Sequence, residues 1–388
     1  MKYYDVRRWD PHDEITWTDV LFNFDGNDIM EGKENRTNRT ITLSHPNVPM
    51  ALNNGAVTKQ RVMWLKDFCD RHEDLFLEDM SPLYSTFYVP KRSGHGLRRI
   101  DAPHDNLKDA QRELCNMFQS WGVFHHTAAY AYVTSRSTRN AVDVHNNFKS
   151  EWFLKTDLSN FFGSTTKEFV MKQMTHVVPF CFIAMVNFIS ERGDLIVGDR
   201  ILSRAMDICF LNGGLPQGTP ISPFLTNLIM IPIDHALAGK FSERKLVYSR
   251  YADDMAISGR EQFPWRAMID EIRATFKEFD APYVIKEEKT KYVSVKGSNW
   301  MLGLCVNAEH KVTVGWKNKK TFKAMLNNFI LDTMNGNRWE KGEVQYLAGL
   351  LAYYLKQEPA YFRSMIERYN EKYGVKFGPM LKKALKTR

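Results

Sequence analysis

The sequence has little that would mark a secreted or membrane-embedded protein. Its five cysteines, Cys69, Cys115, Cys181, Cys209 and Cys305, are scattered over 388 residues, with no close pair to build a disulfide framework or a cysteine-based zinc site. A reducing cytoplasm is therefore the expected compartment. The first ten residues, Met1 to Asp10, carry charges but no apolar run behind them, unlike a secretory signal. The longest apolar stretch, Val177 to Ile189, is interrupted by Pro179 and Asn187 and is too short to span a bilayer, so it reads as a buried helix and no membrane partner is expected. Asn35-Arg-Thr and Asn38-Arg-Thr match the glycosylation pattern, but without a secretion route they mean a polar loop. Long internal repeats and low-complexity segments are absent.

What is present is ordinary globular composition, 44% hydrophobic and 25% charged, which excludes wholesale disorder, collagen and coiled coil. The length suits one large domain or two to three modest ones. Lys and Arg exceed Asp and Glu by 53 to 45, a net charge of +8, which points toward a polyanionic partner.

Along the chain, a Gly/Asn/Asp-rich stretch (Asn23 to Asn38) is followed by a helical patch from Lys59 to Phe76. Phe87-Tyr-Val-Pro and Arg98-Arg-Ile read as a hairpin around Ser93-Gly-His-Gly96, and Asn106 to Gln119 as an amphipathic helix. Trp152 to Thr156 is a strand ending at Asp157, and Leu246 to Tyr251 a strand ending near Asp253. Beyond Val314 the pattern turns helical and basic.

The sharpest local feature is Tyr251-Ala-Asp-Asp254 between two β-like runs. Adjacent carboxylates at a hairpin tip repel each other unless a cation neutralises them. Alone, the pair has the alternative reading of a solvated acidic turn, and Asp157 alone reads as a helix N-cap. Together, the three carboxylates can complete a site in which two Mg²⁺ ions, about 3.5 to 4 Å apart, bridge attacking and leaving oxygens. Between them lies Asn212-Gly-Gly-Leu-Pro-Gln-Gly-Thr-Pro-Ile-Ser-Pro223, a Gly/Pro-rich turn running into an apolar helix. Small residues there admit close backbone approach, and Gln217 supplies a neutral hydrogen bonder.

Asp157 followed by two aromatics, Leu215-Pro-Gln-Gly-x-x-x-Ser-Pro223 and Tyr251-Ala-Asp-Asp254, in this order, resemble motifs A, B and C of reverse transcriptases. Tyr88-Val-Pro-Lys-x-x-Gly-x-Gly-Leu-Arg-Arg-Ile resembles the fingers hairpin, Ile285 to Thr290 motif D, and Met301-Leu-Gly-Leu304 the primer-grip segment. The resemblance spans about three quarters of the chain. It implies an α+β right-hand polymerase with fingers, an antiparallel palm sheet with helices, and a helical thumb. The expected divisions are an N-terminal extension (1–80), the first part of the fingers (81–156), a palm with a fingers insertion (157–310) and a thumb (311–388).

Carried over residue by residue, the resemblance implies that Asp157, Asp253 and Asp254 are catalytic and hold Mg²⁺, or Mn²⁺, with the backbone carbonyl of Leu158 assisting. Lys91 and Arg98 would grip the incoming triphosphate, Gln217 would lie against the nucleotide, and Lys289 would approach the pyrophosphate as an acid. Phe162 matches the ring that clashes with a ribose 2′-hydroxyl and so favours deoxynucleotides. Trp316, Lys317, Lys319, Lys320 and Lys323 interleave an aromatic with cations where a thumb meets an RNA/DNA duplex; taken alone, such a run reads as a solvated helix face.

The segment from His126 to His145 is similar to the one preceding motif A in bacterial retron and group II intron relatives, although three residues separate Ala141 from His145 where the retron pattern has two. Met301-Leu-Gly303 also stands where retrons tend to carry Val-Thr-Gly. The resemblance implies a bacterial, cytoplasmic RNA-directed DNA polymerase of the retron or anti-phage defence kind. Its partners would be an RNA template, dNTPs, a cognate structured non-coding RNA and an effector or accessory protein. The competing readings are an RNA-dependent RNA polymerase and an RNA-binding protein with a vestigial palm.

Overall fold

The computed structural model describes residues 55–90, 96–123 and 125–386. Eleven strands order these residues: β1 (Tyr84–Pro90), β2 (Leu97–Pro103), β3 (Trp152–Ser159), β4 (Asn187–Ile189), β5 (Leu195–Val197), β6 (Val247–Tyr251), β7 (Asp254–Gly259), β8 (Val284–Ile285), β9 (Lys291–Ser294), β10 (Cys305–Val306) and β11 (Val312–Thr313). Among the described residues the chain divides into two compact units, the larger drawn from those between 55 and 137 and from 154–258 and 262–292, the smaller from 138–153, 259–261 and 293–386.

The larger unit is built on a sheet of order β6-β7-β3-β8, with β9 also pairing with β3. β6 and β7 are antiparallel, joined through Tyr251 opposite Asp254, and β3 meets β8 with Leu158 opposite Ile285. Five of the six residues of β7 are buried, as a strand covered on both faces requires. One cover is the helix Ile231–Glu243, which packs on β6 and on the amphipathic helix Trp265–Glu278. The helix Ser222–Ile229 is buried through seven of its eight residues. β1 and β2 form a separate antiparallel ribbon with Tyr84 opposite Pro103 and Pro90 opposite Leu97.

The stretch Val177 to Ile189, expected as one buried helix, is instead a short helix Phe180–Met185 followed by strand β4. Val186 is already extended, and its carbonyl accepts from Gly198 N at 2.9 Å. Asn187-Phe-Ile pairs with Leu195-Ile-Val across the Ser190 to Asp194 turn, so β pairing outcompetes continuation of the helix. The expected helix near Lys59 runs over Gly55–Arg71, with a 3-10 turn after it, and that near Asn106 over Asp105–Ser120.

The smaller unit is mainly helical, with Thr138–Asn147 packed on the β10–β11 hairpin and four further helices, Trp316–Met334, Lys341–Gln357, Pro359–Tyr373 and Phe377–Lys386. The first of these buries Phe322, Leu326, Phe329 and Ile330, the spacing of a single apolar stripe. Phe322 packs against Tyr354 and Phe362, and Phe329 against Trp339 and Phe377. Each fully buried ring of this kind is worth about 1.5–3 kcal/mol relative to exposure. No helix among the described residues is long and apolar enough to cross a membrane.

Candidate functional site

The sheet brings the strand-end acid and the hairpin acids onto neighbouring strands. Leu158 N donates to Asp253 O at 3.1 Å, which fixes the residue after Asp157 against the β6–β7 turn. That turn has two residues, and Ala252 takes a left-handed φ of 57°, a conformation costing a non-glycine residue about 1–2 kcal/mol. Its cost is offset from below by Arg250, whose Nη1 donates to Ala252 O at 3.2 Å while Nε and Nη2 clamp the buried Asp234 carboxylate.

Asp157 is buried and meets two ammonium groups. Lys286 Nζ lies 2.6 Å from Oδ1 and Lys289 Nζ 2.9 Å from Oδ2, and Lys286 also donates to Leu158 O at 3.2 Å. β8 sets this up, because Lys286 N donates to Asp157 O at 2.8 Å as the strand ends. The hydrogen bond to Asp157 holds Lys289 protonated, above the usual lysine range.

The hairpin acids respond differently. Partial desolvation first, then Asp157, raises the Asp253 carboxyl above its ordinary range. Asp254 reaches solvent at its edge, yet the atoms crowding it and then Asp253 and Asp157 push it up to about 6. A cation bound beside Asp253 and Asp254 would favour their charged forms. Among the described residues no three acidic, histidine or cysteine side chains converge into a ready-made metal cage; Asp157 is turned onto the lysines instead.

The Gln217 loop seats against the segment after Asp157 through two glycines. A Cβ on Gly214 would stand 2.1 Å from the Gly163 carbonyl oxygen, so only glycine permits the contact. Leu215 N donates to Phe162 O at 3.1 Å and to Thr165 O at 3.2 Å. On its other side the loop joins the β1–β2 ribbon, since Asp101 N donates to Gln217 O at 2.8 Å. Gln217 is half-buried and Arg98, on the ribbon, is exposed. Phe162 is half-buried between Phe161 and Tyr132, at centroid distances of 5.6 and 6.4 Å. Lys91 lies outside the described residues.

In the smaller unit the cations expected to meet nucleic acid divide. Lys317, Lys320 and Lys323 are exposed at the start of the helix Trp316–Met334, with Lys320 Nζ 5.1 Å from the ring centre of Trp316, itself 73% exposed. Lys319 is turned the other way, 2.6 Å from Glu358 and 4.2 Å from the Tyr361 ring centre. Its charge is balanced inside the unit, so it offers less to a phosphate than its neighbours.

Sequence reading missed Lys286, Arg250, Asp234 and Tyr132. Lys286 had a signal, since it stands three residues before Lys289 in Lys-Glu-Glu-Lys. The partnership of Arg250 with Asp234, sixteen residues earlier, had none.

The sequence profile of the family described as "Reverse transcriptase (RNA-dependent DNA polymerase)" matches residues 89–347. The chain is 26% identical over 300 residues to the retron Ec83 reverse transcriptase of Escherichia coli, covering 75% of this chain and 87% of that one. It is also 26% identical to the retron Mx162 reverse transcriptase of Myxococcus xanthus, covering 76% and 61%. Among solved structures, apo telomerase from Candida tropicalis aligns with a TM-score of 0.43 at 11% identity, over 86% of this chain and 66% of that one; a C-terminally truncated form of the same protein gives 0.41 at 11%, over 65% and 60%.

Proposed function

The chain belongs to the reverse transcriptase family and is an RNA-directed DNA polymerase, and from that premise we propose that Asp157, Asp253 and Asp254 carry its chemistry. The observation behind this assignment is the Leu158 N to Asp253 O bond, which ties the strand-end acid to the acidic turn across the sheet. Reverse transcriptases generally use divalent metal ions. The donor set here, three carboxylates and the Leu158 carbonyl, is all oxygen and suits a hard cation such as Mg²⁺ or Mn²⁺, which would favour the ionised forms of the Asp253 and Asp254 carboxyls, raised by desolvation and then by neighbouring acids. Two Mg²⁺ ions would neutralise the acids and activate the primer 3′-hydroxyl.

The remaining residues bind and orient. Arg98 and Lys91 take the triphosphate of the incoming dNTP, where a guanidinium fork suits phosphate oxygens. Gln217, fixed by its own backbone bond to the ribbon, lies against the nucleotide, and the Phe162 ring excludes a 2′-hydroxyl. Lys289, kept protonated, is placed to donate its proton to the departing pyrophosphate once Asp157 releases it. Trp316, Lys317, Lys320 and Lys323 contact the backbone of the RNA/DNA duplex, with Lys319 held in reserve by Glu358.

Reverse transcriptases bind RNA templates, and the similarity to retron enzymes supports a cognate structured RNA, with an accessory protein, as the partners of this chain. Primer extension on an RNA template with dNTPs and, separately, with rNTPs tests the reading. Preferential dNTP incorporation supports it. Preferential rNTP incorporation would instead favour an RNA-dependent RNA polymerase, and RNA binding without extension a vestigial palm.

A further inference from the structure

Tyr132 has no part in the scheme above, yet its setting is unusual for a surface tyrosine. It is 56% exposed, and its backbone takes a left-handed φ of 58° that side chains with a Cβ avoid. The chain around it is pinned. Arg250 N donates to Ala128 O at 2.7 Å, Tyr130 N to Arg250 O at 2.9 Å, and Asn227 Nδ2 to Ala131 O at 2.8 Å. Arg136 Nη1 adds bonds to the carbonyls of His126 and Ala129. Tyr132 is thereby anchored to the strand that leads into Tyr251-Ala-Asp-Asp254 and to the helix that follows the Gln217 loop. Backbone strain that several elements jointly enforce is a mark of a functional position.

The ring meets Phe162 edge to face, with centroids 6.4 Å apart and planes at 68°. Phe162 also meets Phe161 at 5.6 Å and 65°, and Phe161 in turn meets Tyr283 at 4.9 Å. Phe162 therefore has one buried ring and one exposed ring as neighbours. Partial desolvation by crowding atoms, then the nearby Asp253 charge, raises the Tyr132 hydroxyl above the usual phenol range, with Arg98 acting in the opposite sense. The side chain is thus a neutral phenol lying within the field of both the acidic turn and the fingers arginine.

We propose that Tyr132 is a positioning residue for sugar discrimination, a wall that stops the Phe162 ring from rotating aside when a ribose 2′-hydroxyl presses on it. The proposal rests on the reading of Phe162 as the sugar-facing ring. A steric gate discriminates only if moving it is unfavourable, and Phe162 sits in a four-residue helical turn, Phe161–Ser164, where a half-buried ring has other staggered rotamers to adopt. On this proposal the Tyr132 ring, in edge-to-face contact with Phe162, obstructs those rotamers, and the pinned backbone before it keeps it there.

The test measures kcat/KM for a dNTP and the matching rNTP on one RNA template-primer, in the wild type, Tyr132→Phe, Tyr132→Asn, Phe162→Ala and the Tyr132→Asn, Phe162→Ala double variant. Asparagine tolerates the left-handed backbone, so it removes the ring without adding strain. The expected result is that Tyr132→Asn lowers the dNTP preference about tenfold through a gain in rNTP incorporation, which a merely damaged fold would not produce. Tyr132→Phe, which keeps the ring, retains the preference, and Tyr132→Asn adds nothing in the Phe162→Ala background. An unchanged preference in Tyr132→Asn, or a fall caused only by lost dNTP incorporation, overturns the proposal while Phe162→Ala still shifts it. If Phe162→Ala leaves the preference unchanged, the gate reading fails and this proposal falls with it.

Discussion

Arg250 and Asp234 form an ion pair in which both side chains are 0% exposed, joined by Nη2 to Oδ2 at 2.7 Å and Nε to Oδ1 at 2.9 Å. Tyr248 donates its hydroxyl to the same carboxylate at 2.9 Å. The pair lies directly beneath the acidic turn, and the spare guanidinium nitrogen holds the Ala252 carbonyl. A polar group this deep is tolerable only because every strong donor and acceptor finds a partner.

Removing one member of that pair is expected to be costly. Asp234→Ala strands a buried guanidinium and should destabilise the larger unit by about 3–5 kcal/mol, read as a lowered urea midpoint with an unchanged slope. A loss below about 1 kcal/mol would mean that the pair is an ordinary exposed-type contact.

Lys286 and Lys289 neutralise Asp157 where a divalent cation would otherwise do so. Lys286→Gln removes one competing positive charge, so the Mg²⁺ concentration giving half-maximal thermal stabilisation should fall about threefold. Thermal melts across a Mg²⁺ titration decide it; a midpoint that stays put or rises contradicts the competition.

Stability should decline in mild acid in a way that traces to buried histidine. Burial pushes His145 from 6.5 down to about 3, so the folded form stays neutral while the unfolded chain takes up a proton below its ordinary value. The contribution of His145 is complete above pH 6.5 and is lost progressively as pH falls toward 3, by about 1.4 kcal/mol per pH unit. Urea unfolding of the wild type and of His145→Gln at several pH values between 4 and 7 checks this, because the variant should show the shallower decline.

Much of the candidate site's local geometry was legible in the chain because its parts are local. Asp157 at a strand end, two acids at a hairpin tip and a glycine-rich turn before an apolar helix are each written in a few consecutive residues, and β3, β6 and β7 form where the periodicity places them. What sequence could not supply is the pairing between segments. Lys319 looks like any other lysine of its run until Glu358, 39 residues on, takes it. Tyr132 sits in a segment without a regular period, and the bonds of the preceding Ala128, Tyr130 and Ala131 to Arg250 and Asn227 hold that segment beside Phe162. The Val177 to Ile189 stretch departs from the expected single helix because apolar runs do not distinguish a buried helix from a short strand whose partner lies beyond a turn.

The most direct test of the account is primer extension by Asp253→Asn on an RNA template, measured beside binding of the same RNA. Asparagine keeps the shape and the β6–β7 turn but removes the charge that a cation needs. Extension should fall by about a thousandfold or more, while RNA affinity stays within about twofold, since the proposal assigns binding to cationic groups elsewhere. Extension that persists near the wild-type rate would contradict the assignment of the three aspartates as the centre of the chemistry.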